Sequence, residues 1–132
     1  MSTDASAREL AQFFTICQDL LCIAGTDGYF KSVNPAWART LGWTMDELVA
    51  RPYLDFVHPD DRDTTIREAG ALAAGHTTIA FENRYQCRDG SYKWLQWTAI
   101  LYPDDQRLYA IARDVTAVKA AERELKTARE EA

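Results

Sequence analysis

The side chains able to do chemistry are few in this chain, and their spacing decides which chemistry is open to them. Cys17, Cys22 and Cys87 are odd in number and include no Cys-x-x-Cys pair. Such a set neither closes a disulfide framework nor presents a thiolate metal site. It reads as three small core residues in a reduced compartment. His58 and His76 add no zinc-ligand spacing, so no metal is expected. Paired carboxylates occur at Asp60-Asp61 and Asp104-Asp105, where they read as helix-start and turn residues. No nucleophile motif, glycine-rich phosphate loop or phospho-acceptor histidine with kinase boxes accompanies them. Catalysis by this stretch itself is therefore not expected, and binding is what remains. Trp37, Trp43, Trp94 and Trp97, with Tyr85, form either a cofactor box or ordinary core. Core packing is the plainer reading, because each ring buries a large area. Asn83 is the most informative polar residue.

The element that must position Asn83 is a hairpin. Two runs rich in β-branched and aromatic residues flank Asp89-Gly90, a pair that tolerates the positive φ of a tight turn. Alternation puts Ile79, Phe81, Asn83, Tyr85 and Cys87 on one face of the first run. Leu95, Trp97, Ala99 and Leu101 share the matching face of the second. That face is apolar and needs cover, and a buried Asn83 needs a partner, either a ligand or backbone near the covering helices.

The rest of the chain supplies the cover. Residues 5–18 read as a helix opened by a Ser6–Glu9 capping box, with Leu10, Phe13, Phe14 and Cys17 on one stripe. The stripe reads as core cover, the alternative being a dimer surface. Residues 20–24 and 29–33 read as strands. Asn34-Pro35 then caps and starts a short helix that Gly42 stops. Thr44 and Glu47 form a second capping box, and Pro52 breaks the helix that follows. A longer helix opens at His58-Pro59-Asp60-Asp61, with Ile66, Ala69, Leu72 and Ala73 as its apolar stripe. After the hairpin come a last strand over 107–113 and a polar helix to the end. Two strands, several short helices and three strands suit one antiparallel α+β layer.

The totals agree with a single domain: 132 residues, 47% of them hydrophobic, with a net charge of −5. No basic patch calls for nucleic acid. The longest apolar stretches, 20–25 and 71–75, are too short to cross a membrane, and no signal-peptide pattern follows Met1. A cytoplasmic location is expected.

Several segments together carry a family resemblance. They are Asp27-Gly28-Tyr29-Phe30, Val33-Asn34-Pro35-Ala36, Leu41-Gly42-Trp43, Glu47-Leu48, Phe56-Val57-His58-Pro59-Asp60-Asp61-Arg62, Arg88-Asp89-Gly90-Ser91-Tyr92-Lys93-Trp94 and Asp114-Val115-Thr116. In this order, over about residues 18–117, they resemble a PAS domain with a PAC-type C-terminal half. The resemblance implies a PAS fold: a five-stranded antiparallel sheet in the order 2-1-5-4-3, helices on one face, and additional N- and C-terminal helices. It divides the chain into an N-terminal amphipathic helix (1–17), the PAS domain (18–116) and the start of a signalling helix or coiled-coil linker (117–132).

The resemblance also implies a role in sensing. The expected function is a sensory and dimerisation module that regulates an attached output domain, first a sensor histidine kinase of a two-component system. The alternatives are a diguanylate cyclase or phosphodiesterase, a non-covalent flavin or small-ligand sensor, and a small α+β enzyme acting on an apolar substrate. A covalent flavin photoreceptor needs a cysteine where this chain has Tyr53, and a haem sensor needs a histidine on the helix over 63–75, which has none. No cofactor is expected, although a non-covalent flavin or a small apolar ligand fits the family. The pocket candidates are Trp97, Tyr85, Asn83, Phe81, Ile66, Tyr53 and Leu95. Asp114 and Thr116 join the sheet to the final helix, with Thr116 as its cap and Asp114 held by an arginine or a backbone donor. Val118, Ala121, Leu125, Ala128 and Ala132 are spaced three and four apart, as in a coiled-coil seam. Val118 and Leu125 are thus candidates for signal transmission. The expected partners are a second copy, through the terminal helices, and the attached output domain. A solvated tail is the alternative reading of that seam.

Overall fold

In the computed structural model, which describes residues 3–131, the strands are β1 (Leu20–Gly25), β2 (Phe30–Val33), β3 (Thr78–Gln86), β4 (Tyr92–Tyr102) and β5 (Arg107–Asp114). They form one antiparallel sheet in the order β2-β1-β5-β4-β3. First and last strands therefore meet in mid-sheet, as the resemblance implies. The helices are α1 (Thr3–Ile16), α2 (Ala36–Leu41), α3 (Met45–Val49), α4 (Arg62–Ala73) and α5 (Thr116–Glu131), with 3₁₀ turns at Tyr53–Phe56 and Pro59–Asp61. Trp37, Leu41, Leu48, Phe56 and Leu72 bring α2 to α4 onto the inward face of the sheet, where Leu20, Tyr85, Leu95 and Trp97 are buried.

Local rules explain several of these boundaries. Gly42 ends α2 at φ 91°, a left-handed conformation that favours glycine, and its N–H donates to the Ala38 carbonyl. The Thr44–Glu47 capping box forms in both directions. His58 starts the next turn by accepting the Asp60 N–H on Nδ1.

Five expectations change. First, α1 already runs at Thr3, so Ser6 and Glu9 lie inside it and form no cap. Its stripe covers the core only in part: Phe14 and Cys17 are half-buried, whereas Leu10 and Phe13 are 68% and 67% exposed, as is the adjacent Ile16 at 65%. Second, Asn34 does not cap α2, since Pro35 holds the cap position. Its buried amide instead accepts the Leu21 N–H and donates to the carbonyls of Phe14 and Asp19, tying the end of α1 to β1. Third, the β3–β4 connection is longer than a two-residue turn. Cys87 and Ser91 close it by an N–H···O bond of 2.7 Å, with Gly90 at φ 93°. A turn ending in a left-handed residue fits a three-residue hairpin loop.

Fourth, β3 contains a bulge between Thr78 and Phe81, with Ala80 at φ 56°. One extra residue reverses the alternation. Ile79 is turned outward, 75% exposed, and Thr78 is buried in its place. Fifth, α4 presents a different stripe. Thr65 and Leu72 are buried, whereas Ile66 is 53% exposed.

Candidate functional site

The registers line up four small inward residues in one row across the sheet: Cys22 opposite Ala110, Ala110 opposite Ala99, and Ala99 opposite Thr78. On either side stand larger residues, Trp97 and Phe81 in one neighbouring row and Leu108 in the other. Small side chains flanked by large ones leave a hollow, and α4 roofs it with Thr65, Ala69 and Leu72. The resulting cavity holds about 80 Å³.

Of the pocket candidates, Phe81, Asn83, Tyr85, Trp97 and Tyr53 all line this one cavity. Ile66 does not; it borders a neighbouring groove with Asp27, Pro52 and Leu54. Leu95 is fully buried in the ladder between Asn83 and Asp114 but does not reach the cavity. The lining residues missing from the candidates are the small ones, Thr65, and the larger Phe30, Glu68, Leu72 and Leu108. Alanine at inward positions of two neighbouring strands was visible in the alternation, but the row exists only once the register is known.

Asn83 already has partners. Its Oδ1 accepts the Trp97 Nε1–H at 2.8 Å, and its Nδ2 donates to Thr65 Oγ1 at 3.1 Å. The Thr65 hydroxyl in turn donates to the Asp61 carbonyl at 2.7 Å. These bonds connect β4 and β3 to the start of α4 inside the core. Thr78 makes a second connection, donating to Glu68 Oε2 at 2.7 Å. Tyr85 is different: it is buried against Trp37 and Trp97, and its hydroxyl makes no hydrogen bond among the described residues. Burial raises its pKa well above the ordinary value, with Cys22 and Tyr53 adding to the effect. Burial likewise raises Tyr53 and pushes the Cys22 thiol up to about 12. Burial thus disfavours the charged form of each of these three groups.

The neighbours of Asn83 along β3 face other partners. Arg84 clasps the Asp61 carboxylate with Nε and Nη2 at 2.9 and 2.8 Å, and its backbone N–H donates to the same group. The Arg84 hydrogen bond holds the Asp61 carboxyl below its ordinary range. Glu82 accepts from Lys119 Nζ of α5 at 2.6 Å, and from Gln96 at 3.2 Å. Lys119 also lies 4.7 Å above the Trp94 ring. Trp94 anchors the root of α5 with its own backbone, its carbonyl accepting the Val115 N–H and its N–H donating to Thr116 Oγ1.

Thr116 is therefore not a helix cap through its hydroxyl. That oxygen accepts from Trp94 and donates to Asp114 Oδ1 at 2.6 Å. Asp114 also accepts the Thr116 N–H, the backbone donor expected. Its charged partner is Lys93 at 3.6 Å rather than an arginine. Val118 and Leu125 are exposed on α5, and Ala132 of the expected seam lies outside the described residues. Among the described residues no group of three metal-ligating side chains comes together, and no helix is long and apolar enough to cross a membrane.

Comparison with known proteins agrees with this architecture. The sequence model of one family, described as PAS fold, matches residues 30–112. A neuronal PAS domain-containing protein 4-like protein of Danio rerio is 39% identical over 56 residues, 42% of this chain, and those residues span 9% of that relative's length. A domain of a sensory box sensor histidine kinase/response regulator from Geobacter sulfurreducens superposes with a TM-score of 0.72 at 23% identity, over 86% of this chain and 97% of that one. The N-terminal domain of a diguanylate cyclase with PAS/PAC sensor from Marinobacter aquaeolei gives a TM-score of 0.68 at 18% identity, over 76% and 98%.

Proposed function

The chain belongs to the PAS family, and on that premise we propose that it is a sensory and dimerisation module that regulates an attached output domain, first a sensor histidine kinase. The observation that carries this reading is the dual role of β3. Asn83 and Tyr85 line the cavity, while Glu82 holds Lys119 of α5 and Arg84 holds Asp61 at the start of α4. A change in what fills the cavity is thereby felt at the root of α5, beyond which an output domain would follow. The cavity is well below the roughly 300–1,000 Å³ of pockets that enclose drug-sized ligands, which supports a small apolar ligand over flavin or haem. The exposed residues of α1 and α5 support pairing with a second copy through the terminal helices. In this reading the module itself is not catalytic and works in the cytoplasm.

The test uses the polypeptide that carries this module together with its output domain. Incubation with ATP is expected to label a histidine, and Asp114→Ala, or one to three residues inserted after Ala117, is expected to change the rate. Unchanged output from both variants would remove the α5 root from the mechanism. Conversion of GTP without labelling from ATP would favour the second reading, a cyclase, which the fold of the Marinobacter aquaeolei domain supports equally.

A further inference from the structure

We propose that the cavity selects a small uncharged molecule, a few carbons bearing one hydrogen-bonding group, and anchors that group on the Tyr85 hydroxyl. The inference rests on the reading that this cavity is the sensory site, and it names what the site would take.

The argument goes by elimination among the polar groups of the wall. Asn83, the polar side chain that looked most available in the sequence, is bonded on both sides, by Trp97 and Thr65. The Thr65 hydroxyl is taken by Asn83 and the Asp61 carbonyl, and that of Thr78 by Glu68. The hydroxyls of Tyr53 and Tyr85 have no partner among the described residues, but Tyr53 is only half-buried and also borders the neighbouring groove, whereas Tyr85 is only 2% exposed. Yet every polar side-chain atom sealed in the described interior does have one. The Tyr85 hydroxyl is therefore not sealed: the surface it keeps faces the cavity that Tyr85 lines. A buried hydroxyl without a partner is an unmet demand for a hydrogen bond.

Size and charge narrow the occupant. About 80 Å³ is roughly half of the ~150 Å³ of a cavity that takes benzene, and so suits a molecule with few heavy atoms. Apart from the hydroxyls and Asn83, the wall is built mainly of alanines, Leu72, Leu108 and aromatic rings. It offers no cation to an anionic ligand. Its one carboxylate, Glu68, has an oxygen engaged by Thr78. Burying an unpaired charge there is strongly disfavoured.

The experiment follows amide shifts of Cys22, Tyr85, Ala99 and Ala110 by NMR on the whole chain. Xenon, a probe without polar groups, reports whether the cavity can be entered. Ethanol, acetate and ethylammonium share one two-carbon skeleton and differ in charge. The expected result is that xenon and ethanol shift the cavity amides and the two ions do not. Tyr85→Phe is expected to weaken ethanol about two- to tenfold, the worth of one hydrogen bond, while leaving xenon unchanged. Equal ethanol affinity in Tyr85→Phe, or binding of either ion as tight as that of ethanol, overturns the inference and leaves the sensory cavity standing. Absence of any xenon shift overturns the sensory cavity itself.

Discussion

Asn83 shows how one polar side chain can hold a core together while standing beside a cavity. It accepts from an indole and donates to a threonine, so each bond satisfies two buried groups at once. Removing it strands both. Asn83→Ala should lower stability by about 1–3 kcal/mol, read from urea denaturation midpoints at unchanged slope. A loss of a few tenths would mean that water replaces the amide without penalty. Asp61 makes a different prediction. Its folded pKa lies below the ordinary 3.8 because Arg84 hydrogen-bonds its charged form. A depressed carboxyl stabilises in full above the unfolded value and loses that contribution as pH falls through the folded one. Stability should therefore fall as pH drops below about 3.8, and Asp61→Asn should cost stability at neutral pH while flattening this acid limb. Parallel acid limbs in the two proteins would show that other groups control it.

At the scale of elements, β3 is an edge strand with work on several sides. Its outer edge is covered where the His58 N–H donates to the Arg84 carbonyl and Val57 bridges Tyr85, which limits open pairing by other chains. Its bulge at Ala80 is what brings Thr78 to the cavity floor. Its Glu82 reaches α5. The Glu82–Lys119 pair is about a third exposed on either side, so its worth is modest despite a 2.6 Å contact. A double-mutant cycle of Glu82→Gln and Lys119→Ala should return about 0.2–1 kcal/mol. Hydrogen exchange should quicken in the first turn of α5 and not in β4. Faster exchange throughout β4 would mean that the pair supports the sheet rather than the helix root.

For the whole molecule the open question is what covers the terminal helices. Leu10, Phe13 and Ile16 on α1 and Val118 and Leu125 on α5 are each more than half exposed. A helix of this length with an alanine-rich seam is marginal alone in water. The chain should dimerise weakly, and deleting residues 117–132 should weaken the dimer further in sedimentation equilibrium. Unchanged affinity after that deletion would assign the contact to α1, and Phe13→Asp should then abolish it.

What the sequence determined by itself is local or periodic. Asp89-Gly90, the Thr44–Glu47 box and the alternation through β4 act within a few residues, and their physics needs no partner. The ordered segments from Asp27 to Thr116 went further and implied the strand order, because they matched a family whose fold is known. The tertiary structure decided what depends on residues far apart. Ile79 and Thr78 exchanged faces because a bulge shifts the period by one, which no pattern of apolar residues announces. Asn34 left its cap to bind Leu21 and the end of α1, because a buried amide with several partners outcompetes a single capping bond. The α1 stripe divided: Phe14 and Cys17 are half-buried at the end of the helix, while Leu10 and Phe13 find no cover among the described residues. The cavity is the clearest case: Cys22, Ala110, Ala99 and Thr78 are distant in sequence, and only the register across four strands sets their small side chains in one row.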